Sequence, residues 1–372
     1  MYDRLIKNCD IFDGTGSPCY RADIAVQGSI IARVGDLNGA DAVKVIDVGG
    51  LAVAPGFIDA HTHDDRLLLS SPQMAPKVSQ GVTTIVGGNC GVSLAPLKGI
   101  DPPPPMNLLG GQDWYRFSSV REYRDELETA GTATNCAMLV GHSTLRAGTM
   151  KALGNAATNE EIDTMKNLMV DALEDGCIGL STGLDYPTAS AAPTGEIVSL
   201  ARELAGYNAM YVSHIRDEGD SLVEAVAEGL EIGRIAEVPM VISHHKAAGH
   251  KNWGKTRKTL KMINQAKREQ SVHFDVYPYI ASSSVLLMQF IETADRVKLT
   301  WSEPFPELGG VYLNKICRQW GCDLETAVQR LQPARAIYFE MDESEMQSLL
   351  KQPGTMVGSD GLPHDLLPHP RL

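Results

Sequence analysis

The chain contains 372 residues, 43% of them hydrophobic and 21% charged, with a net charge of −13. This balance is typical of a globular protein with a sizeable core and excludes a disordered chain. The acidic charge argues against a nucleic acid partner, which needs clustered Lys and Arg, and no apolar run is long enough to span a membrane.

Seven cysteines are scattered without the spacing of a disulfide scaffold, and the N-terminal residues lack the pattern of a signal peptide. Both features are typical of a reducing compartment. We therefore predict a cytoplasmic protein whose partner is a small molecule.

The first fifty residues alternate short β-rich runs with Gly, Asp and Asn turns, a pattern typical of hairpins. We predict a small β domain over residues 1–50, with strands at 2–8, 23–26, 29–34 and 43–48.

Residues 51–372 repeat a strand, a polar strand end and a helical stretch, which predicts a parallel sheet. Eight candidate strands lie at 56–60, 82–86, 136–140, 177–180, 210–213, 240–243, 272–276 and 355–358. Helical periodicity is found at 119–130, 159–175, 196–205, 221–235 and 255–269. Eight strands suffice to close a barrel, so we predict an α/β fold, a (β/α)8 TIM-type barrel, for a second domain over residues 51–372.

Six of the ten histidines directly follow predicted strands: His61, His63, His142, His214, His244 and His245. The carboxyl ends of the strands form one face of a parallel barrel, so these side chains converge there. His61 and His63 alternate along an extended segment, which directs both imidazoles to one side, as a single metal ion requires. A lone HxH pattern is equally typical of two polar loop histidines, but further candidate ligands follow at later strand ends.

Cys90 lies in GGNCG, where glycines allow the backbone to come close to a ligand and a thiolate is a strong zinc ligand. Taken alone, it is more typical of an inert buried thiol. With His214 and His244 it completes three N/S ligands and leaves a fourth position open, which is the arrangement of a catalytic zinc. His245 is expected to point away and to pack or support the site.

Asp360 follows the last predicted strand, where a carboxylate can accept and return the proton of a metal-activated water. An ordinary turn before Gly361 is the alternative. The sequence by itself therefore predicts a metal-dependent hydrolytic site at this face of the barrel.

The segments around these residues resemble the D-aminoacylase family of the amidohydrolase superfamily along the whole chain. They are PGFIDAHTH, GVTTIVGGNCGVSLAPL, VGHSTLR, GLSTGLDYPTA, YVSHIRDEG, ISHHKAAG, DVYPY and GSDGLPHDLLPHPRL. HxH is shared with dihydroorotases, hydantoinases and deaminases, whereas NCG replaces the bridging lysine of the hydantoinases and is more specific.

The resemblance implies zinc-dependent hydrolysis of N-acyl-D-amino acids to a carboxylate and a free D-amino acid. It implies a tightly held Zn²⁺ on Cys90, His214 and His244. A weaker second position would use His61, His63 and Asp360, and Asp360 would be the general base and acid. The residues implied to bind substrate are Lys246 in the pocket and, around the substrate carboxylate, Tyr277, Ser283 and Arg371. For Arg371 the alternative is a solvated residue near a chain end.

Two departures from the family pattern affect these expectations. Ala247 stands where many relatives carry Cys, and relatives continue beyond Leu372 with elements that complete the small β domain. We therefore expect a fold that is incomplete at its C-terminus, with lower solubility and activity than an extended chain. The alternatives are a cyclic-amide hydrolase of the hydantoinase or dihydroorotase type, and an inactive truncated amidohydrolase-like protein with a binding role.

Overall fold

The computed structural model describes residues 1–362 of the chain. Contacts within the chain divide it into two compact units, of which the first is Met1–Phe57 and the second begins at Ile58. No helix within residues 1–362 is both long enough and apolar enough to cross a membrane.

The first unit is a small β domain. Its five strands are β1 Tyr2–Ile11, β2 Tyr20–Gln27, β3 Ile30–Gly35, β4 Ala42–Asp47 and β5 Ala52–Val53. The first three pair antiparallel as predicted, around a core that includes Leu5 and Ala25. The hairpin pattern is wrong for β4, which pairs in parallel with β1 because the segment after β3 carries the chain to the far side of β1.

The second unit is built around a parallel barrel. Its strands are β6 Phe57–Asp59, β7 Val82–Gly87, β8 Leu97–Lys98, β9 Arg116–Phe117, β10 Asn135–Gly141, β11 Gly179–Gly183, β12 Met210–His214, β13 Met240–Ile242, β14 Val272–Val276, β15 Ala281–Val285, β16 Arg296–Ser302, β17 Ala334–Phe339 and β18 Met356–Val357. Its helices are α1 Leu67–Ser70, α2 Ala75–Val78, α3 Val120–Ala130, α4 His142–Thr149, α5 Asn159–Glu174, α6 Thr194–Ala201, α7 Leu222–Ala236, α8 Thr256–Ala266, α9 Met288–Thr293, α10 Leu313–Trp320, α11 Leu324–Leu331 and α12 Glu343–Leu350.

Eight of these strands form one sheet in the order β18-β14-β13-β12-β11-β10-β7-β6. The ends of the sheet meet where the Ala60 amide donates to the Val357 carbonyl at 3.1 Å and Thr62 bridges in parallel to Gly361. All eight predicted barrel strands are therefore confirmed, and the barrel is nearly closed.

Two apolar layers stabilise the barrel. The first layer fills the barrel interior. There Leu139, Val212 and Val241 form a cluster with residues of other strands, including Met356. The larger core lies between the strands and the surrounding helices and contains Tyr211 among its buried residues. Val212 and His214 lie two positions apart in β12, so the alternation that buries Val212 inside also directs His214 inward.

The predicted helices match α3, α5, α6, α7 and α8, although α6 ends early and a 3-10 helix, Arg202–Tyr207, follows it. Capping sets the start of α5. The Thr158 hydroxyl accepts a hydrogen bond from the Glu161 amide, and the Thr158 amide donates to the Glu161 carboxylate, which satisfies two otherwise unpaired amides.

No helix or strand is predicted for the segment between β14 and β18, and the structure has an inserted layer there. An antiparallel sheet in the order β15-β17-β16 packs with α9, α10 and α11 around a separate apolar core. The sequence of β15, ASSSV, lacks alternating apolar residues, which is why periodicity did not reveal it. This inserted layer forms part of the wall of the cavity described below.

Candidate metal centre

The six predicted metal-site residues lie together at the carboxyl ends of the barrel strands. His61 and His63 follow β6, Cys90 follows β7, His214 ends β12, His244 follows β13 and Asp360 follows β18. All six side chains belong to buried residues. Their candidate donor atoms form two overlapping sets, each with its atoms within 4.8 Å of one another: His61, His63, Cys90 and Asp360, and Cys90, His214 and His244.

Cys90 is the residue common to both sets. Its Sγ lies 3.3 Å from His61 Nε2 and 3.4 Å from His244 Nε2. On the other side of the cluster, Asp360 Oδ1 lies 3.2 Å from His63 Nε2 and 3.6 Å from His61 Nε2. The Cys90 thiol therefore lies between two candidate metal positions, each of which is surrounded by N, O or S donor atoms.

The loop that carries Cys90 depends on its glycines. Gly88 and Gly91 have φ of +73° and +77°, and a Cβ on Gly88 would lie 2.0 Å from the Leu139 carbonyl oxygen. The Ser181 hydroxyl joins the two sides of the loop, because it accepts from the Gly91 amide at 3.0 Å and donates to the Gly88 carbonyl. The glycines of GGNCG thus allow the loop to pack closely against neighbouring strands, which holds the thiol in place.

Backbone strain is concentrated in the same residues. Among residues 1–362, seven non-glycine residues have positive φ, and three of them are Cys90 at +53°, His244 at +35° and Asp360 at +49°. Each such residue costs about 1–3 kcal/mol and persists only where surrounding contacts hold it. Strain is typical of sites whose geometry is maintained for function.

Two buried carboxylates that the sequence analysis missed hold the histidines. Asp275 Oδ2 lies 3.2 Å from His61 Nδ1, and its Oδ1 accepts the His244 amide at 2.8 Å. Glu218 Oε1 lies 2.8 Å from His244 Nδ1, and its Oε2 lies 4.0 Å from His214 Nε2. Carboxylates on the second nitrogen of an imidazole fix its orientation and increase its basicity as a metal ligand.

The sequence contained a feature that could have pointed to each of these two carboxylates. Asp275 is an acidic residue within the predicted strand VHFDV, and Glu218 follows His214 by four positions in HIRDEG. Neither signal says which histidine the carboxylate contacts, because that depends on the folded barrel.

The electrostatics of the cluster favour a thiolate. Burial alone would raise the pKa of the Cys90 thiol, but the neighbouring His61 and His244 lower it well below its usual value. Burial would likewise raise the pKa of Glu218, but Lys246 and His244 hold it well below its usual range. Both groups are therefore anionic at neutral pH, as the thiolate that binds a cation must be.

A cavity of about 230 Å³ opens beside the cluster and is lined by His63, His214, His244 and Asp360. Two predicted substrate residues also line it. Lys246 Nζ donates to Glu218 Oε1 at 2.5 Å, and the Ser283 hydroxyl is buried without a hydrogen-bond partner in the described part of the chain. The cavity joins the candidate metal ligands to groups able to bind a small polar molecule.

The remaining predicted residues lie elsewhere. Tyr277 lines an adjoining cleft, where the Lys246 ammonium lies 5.4 Å from its ring centroid. Arg371 lies outside the described residues. His245 points away from the cluster, as expected, because its Nε2 lies 2.9 Å from the Thr259 hydroxyl. His142 is also outside it and is paired with Glu196 at 2.9 Å.

The donor set fits a divalent metal ion. Thiolate and imidazole ligands are those that zinc and similar metals prefer, and carboxylate oxygen completes the second position. Both ring nitrogens of His214 are buried without a hydrogen-bond partner among residues 1–362. A buried imidazole normally finds a partner, so the orphaned nitrogens are consistent with a ligand that binds there.

Comparison with known proteins extends these observations. A family model described as "Amidohydrolase family" matches residues 44–273. A D-aminoacylase from Alcaligenes xylosoxydans xylosoxydans is 48% identical over 371 residues, covering 100% of this chain and 77% of the relative. An N-acyl-D-aspartate deacylase from the same organism is 46% identical over 370 residues, covering 99% of this chain and 74% of the relative.

One similar solved structure contains a metal and an inhibitor. It is the N-acyl-D-glutamate deacylase from Bordetella bronchiseptica, complexed with zinc and a phosphonate inhibitor that mimics the tetrahedral intermediate of the reaction. It is 43% identical to this chain, with a TM-score of 0.94, and the match covers 100% of this chain and 78% of that one. The similarity is close enough to show common architecture as well as common ancestry.

Proposed function

This chain belongs to the amidohydrolase family, in its D-aminoacylase branch, and from that premise we propose that it hydrolyses the amide bond of N-acyl-D-amino acids. The products are a carboxylate and a free D-amino acid. The observation that carries the proposal is the buried cluster in which Cys90 stands between two sets of candidate ligands beside a cavity.

We propose zinc as the metal. Cys90, His214 and His244 would hold it tightly, and His61, His63 and Asp360 would form a weaker second position. When bound, zinc supplies Lewis-acid chemistry, since it polarises a carbonyl oxygen and makes water easier to deprotonate. The support in this chain is the thiolate and imidazole donor set, together with the zinc in the solved relative.

Asp360 is the proposed general base and acid. Its carboxylate lines the cavity and lies 3.2 Å from His63, so it can reach both the metal positions and a bound substrate. It accepts the proton of the attacking water and delivers it to the leaving nitrogen as the amide bond breaks. Without that delivery the amine would leave as an unstable anion, so the same carboxylate acts in both halves of the reaction.

Four groups are proposed to position the substrate. Lys246 lies in the cavity beside Glu218, and the Ser283 hydroxyl is available to donate to a carboxylate. Tyr277, whose ring centroid lies 5.4 Å from the Lys246 ammonium, and Arg371 are also proposed to bind the substrate carboxylate, Arg371 as a bidentate partner. Fixing the carboxylate and the amide at separate points leaves one direction for the side chain, which selects one enantiomer.

A chiral substrate panel tests the proposal. Zinc-loaded protein is mixed with N-acetyl-D-amino acids and with their L-enantiomers, and the release of free amine is measured. We expect turnover of D-substrates at rates well above those of the L-forms, and loss of turnover after removal of metal with a chelator. Equal rates for both enantiomers, or turnover that survives complete metal removal, would contradict the proposal.

Two further assignments accompany this function. We propose that the activity belongs to the hydrolase domain 51–372, with residues 1–50 as a separate small β domain. We also propose a cytoplasmic location, supported by the scattered cysteines of the sequence.

A further inference from the structure

The cavity carries a strongly unbalanced set of charges. Six carboxylates line it: Asp185, Asp217, Glu218, Asp220, Glu340 and Asp360. Lys246 is the one Lys or Arg among the residues described along its walls. An acidic, partly desolvated cavity attracts cations and repels anions.

Most of these carboxylates already have partners. Glu218 binds Lys246 and His244, and Asp220 pairs with Lys251 at 2.8 Å. Asp217 accepts backbone amides, including that of Gly219 at 2.6 Å, and Asp360 belongs to the ligand cluster. Asp185 and Glu340 remain, and among residues 1–362 neither takes part in an ion pair with Lys, Arg or His.

These two carboxylates are held against one short helix. Gln289 donates to Asp185 Oδ1 at 3.3 Å, and the Thr293 hydroxyl donates to Glu340 Oε2 at 3.4 Å. Gln289 and Thr293 are four positions apart in α9, so they lie on one face of that helix, roughly one turn of about 5.4 Å apart. Asp185 and Glu340 thus flank the same stretch of cavity wall.

Among residues 1–362 their direct hydrogen-bond partners are uncharged, although the more distant His214 lowers the pKa of Asp185 and Lys246 lowers that of Glu340. The Ser282 hydroxyl also donates to Glu340, and Phe290 from α9 lines the cavity near them. Burial, with a smaller contribution from the anionic Glu218, raises the pKa of Glu340 to about 7 and that of Asp185 to about 6. A cation placed between two such carboxyls would favour their ionised forms and would be held by both.

We propose that the preferred substrates are N-acyl-D-amino acids with a cationic side chain of the lysine or arginine type, bound between Asp185 and Glu340. This inference rests on the proposed function, because it assigns the side-chain subsite of the same reaction. The substrate amide would lie at the cluster of candidate metal ligands, and the aliphatic part of the side chain would pack against Phe290 of α9.

The same charges disfavour acidic side chains. A substrate with a second carboxylate would meet Asp185 and Glu340, and Lys246, the one Lys or Arg described in the cavity, is already bound to Glu218. Like charges in a partly desolvated site repel strongly. The proposal therefore separates this chain from the N-acyl-D-aspartate and N-acyl-D-glutamate deacylases that it resembles.

Three substrates with different side-chain charges test the inference. The value of kcat/KM is measured on zinc-loaded protein for Nα-acetyl-D-lysine, for the uncharged N-acetyl-D-norleucine and for N-acetyl-D-glutamate. We expect the lysine derivative to exceed the norleucine derivative by about tenfold or more, with the glutamate derivative lowest. Affinities of the first two compounds, measured by calorimetry, should follow the same order.

Variants connect the preference to the two carboxylates. Asp185→Asn and Glu340→Gln should each lower the ratio of kcat/KM for the lysine derivative to that for the norleucine derivative. Asp163→Asn is the matched control, because it removes the same charge from the exposed face of α5 and should leave the ratio unchanged.

The outcomes separate the inference from the proposed function. D-selective deacylation with norleucine equal to or above lysine would overturn the inference and leave the function standing. Preferential binding of the lysine derivative without turnover of any D-substrate would overturn the function alone. Neither turnover nor binding of any of the three compounds would overturn both.

Discussion

The cavity has two walls of different origin. One wall is formed by the carboxyl ends of the barrel strands, where Cys90, His214 and the neighbouring side chains are buried and contact one another. The other includes the inserted layer between β14 and β18, which contributes Ser283, α9 and Glu340. On the first wall Asp275 and Glu218 contact metal-site histidines or Lys246, whereas on the second Glu340 accepts hydrogen bonds from the Ser282 and Thr293 hydroxyls.

This difference separates chemistry from selectivity. Substitutions of barrel-wall residues in the ligand cluster, or in contact with it through Asp275, should change metal binding or turnover. Substitutions on the inserted wall should change which substrate binds, because its side chains surround the cavity away from that cluster. Each prediction below tests one side of this division.

The largest expected effect is on turnover. Asp360→Asn removes the proposed proton carrier while keeping its shape, so kcat should fall by about 10²-fold or more with the fold retained. Steady-state kinetics, zinc analysis and circular dichroism check this, with Asp163→Asn as the control for loss of one carboxylate. Near-normal turnover in a variant that still holds zinc would remove Asp360 from the mechanism.

A smaller effect, on metal affinity, is expected for Asp275, which contacts two of the candidate metal ligands. Asp275→Asn keeps an oxygen for the His244 amide but removes the negative charge beside His61 Nδ1, so affinity for metal should fall by about 10- to 100-fold. Zinc competition titrations measure it. Asp175→Asn, which alters a buried carboxylate paired with Arg121 away from the cavity, should change thermal stability and leave metal affinity unaltered. Equal metal affinities in the Asp275 variant and the parent would show that Asp275 is structural.

The smallest effect, on KM, is expected for Ser283 on the inserted wall. Ser283→Ala should raise KM by about tenfold or less for N-acyl-D-amino acids, since one hydrogen bond to a charged group is lost, and leave kcat nearly unchanged. Thr300→Val is the matched control, because it removes another buried hydroxyl from the same inserted layer away from the cavity. An equal loss on an N-acyl amine without a carboxylate would assign Ser283 to the fold instead.

The two walls also differ in how far the sequence predicted them. The ligand cluster could be placed because residues at the carboxyl ends of parallel barrel strands converge whatever their separation along the chain. The strands themselves were readable from apolar runs that alternate with helical stretches. Cys90 could be predicted as a ligand only in combination with the strand-end histidines, since a lone cysteine in a glycine loop is more often inert, and the family resemblance made the prediction more specific.

The supporting carboxylates could not be assigned in the same way. Asp275 and His61 are 214 positions apart, and their contact depends on the closure of the barrel. The inserted wall was missed for a local reason, because β15 is a serine-rich strand without an apolar period and its stability comes from pairing with β17. Glu340 follows β17, so its place in the cavity was hidden with that strand.

The central claim is that the buried cluster around Cys90 is the zinc centre of the enzyme, and metal analysis of purified protein tests it most directly. The parent chain should retain about one tightly bound zinc per chain after dialysis, and Cys90→Ala should lose both the metal and the deacylation of N-acetyl-D-amino acids. Cys177→Ala, which changes a buried cysteine of the apolar core, should keep both. Zinc retained as tightly in Cys90→Ala as in the parent, with activity intact, would contradict the account.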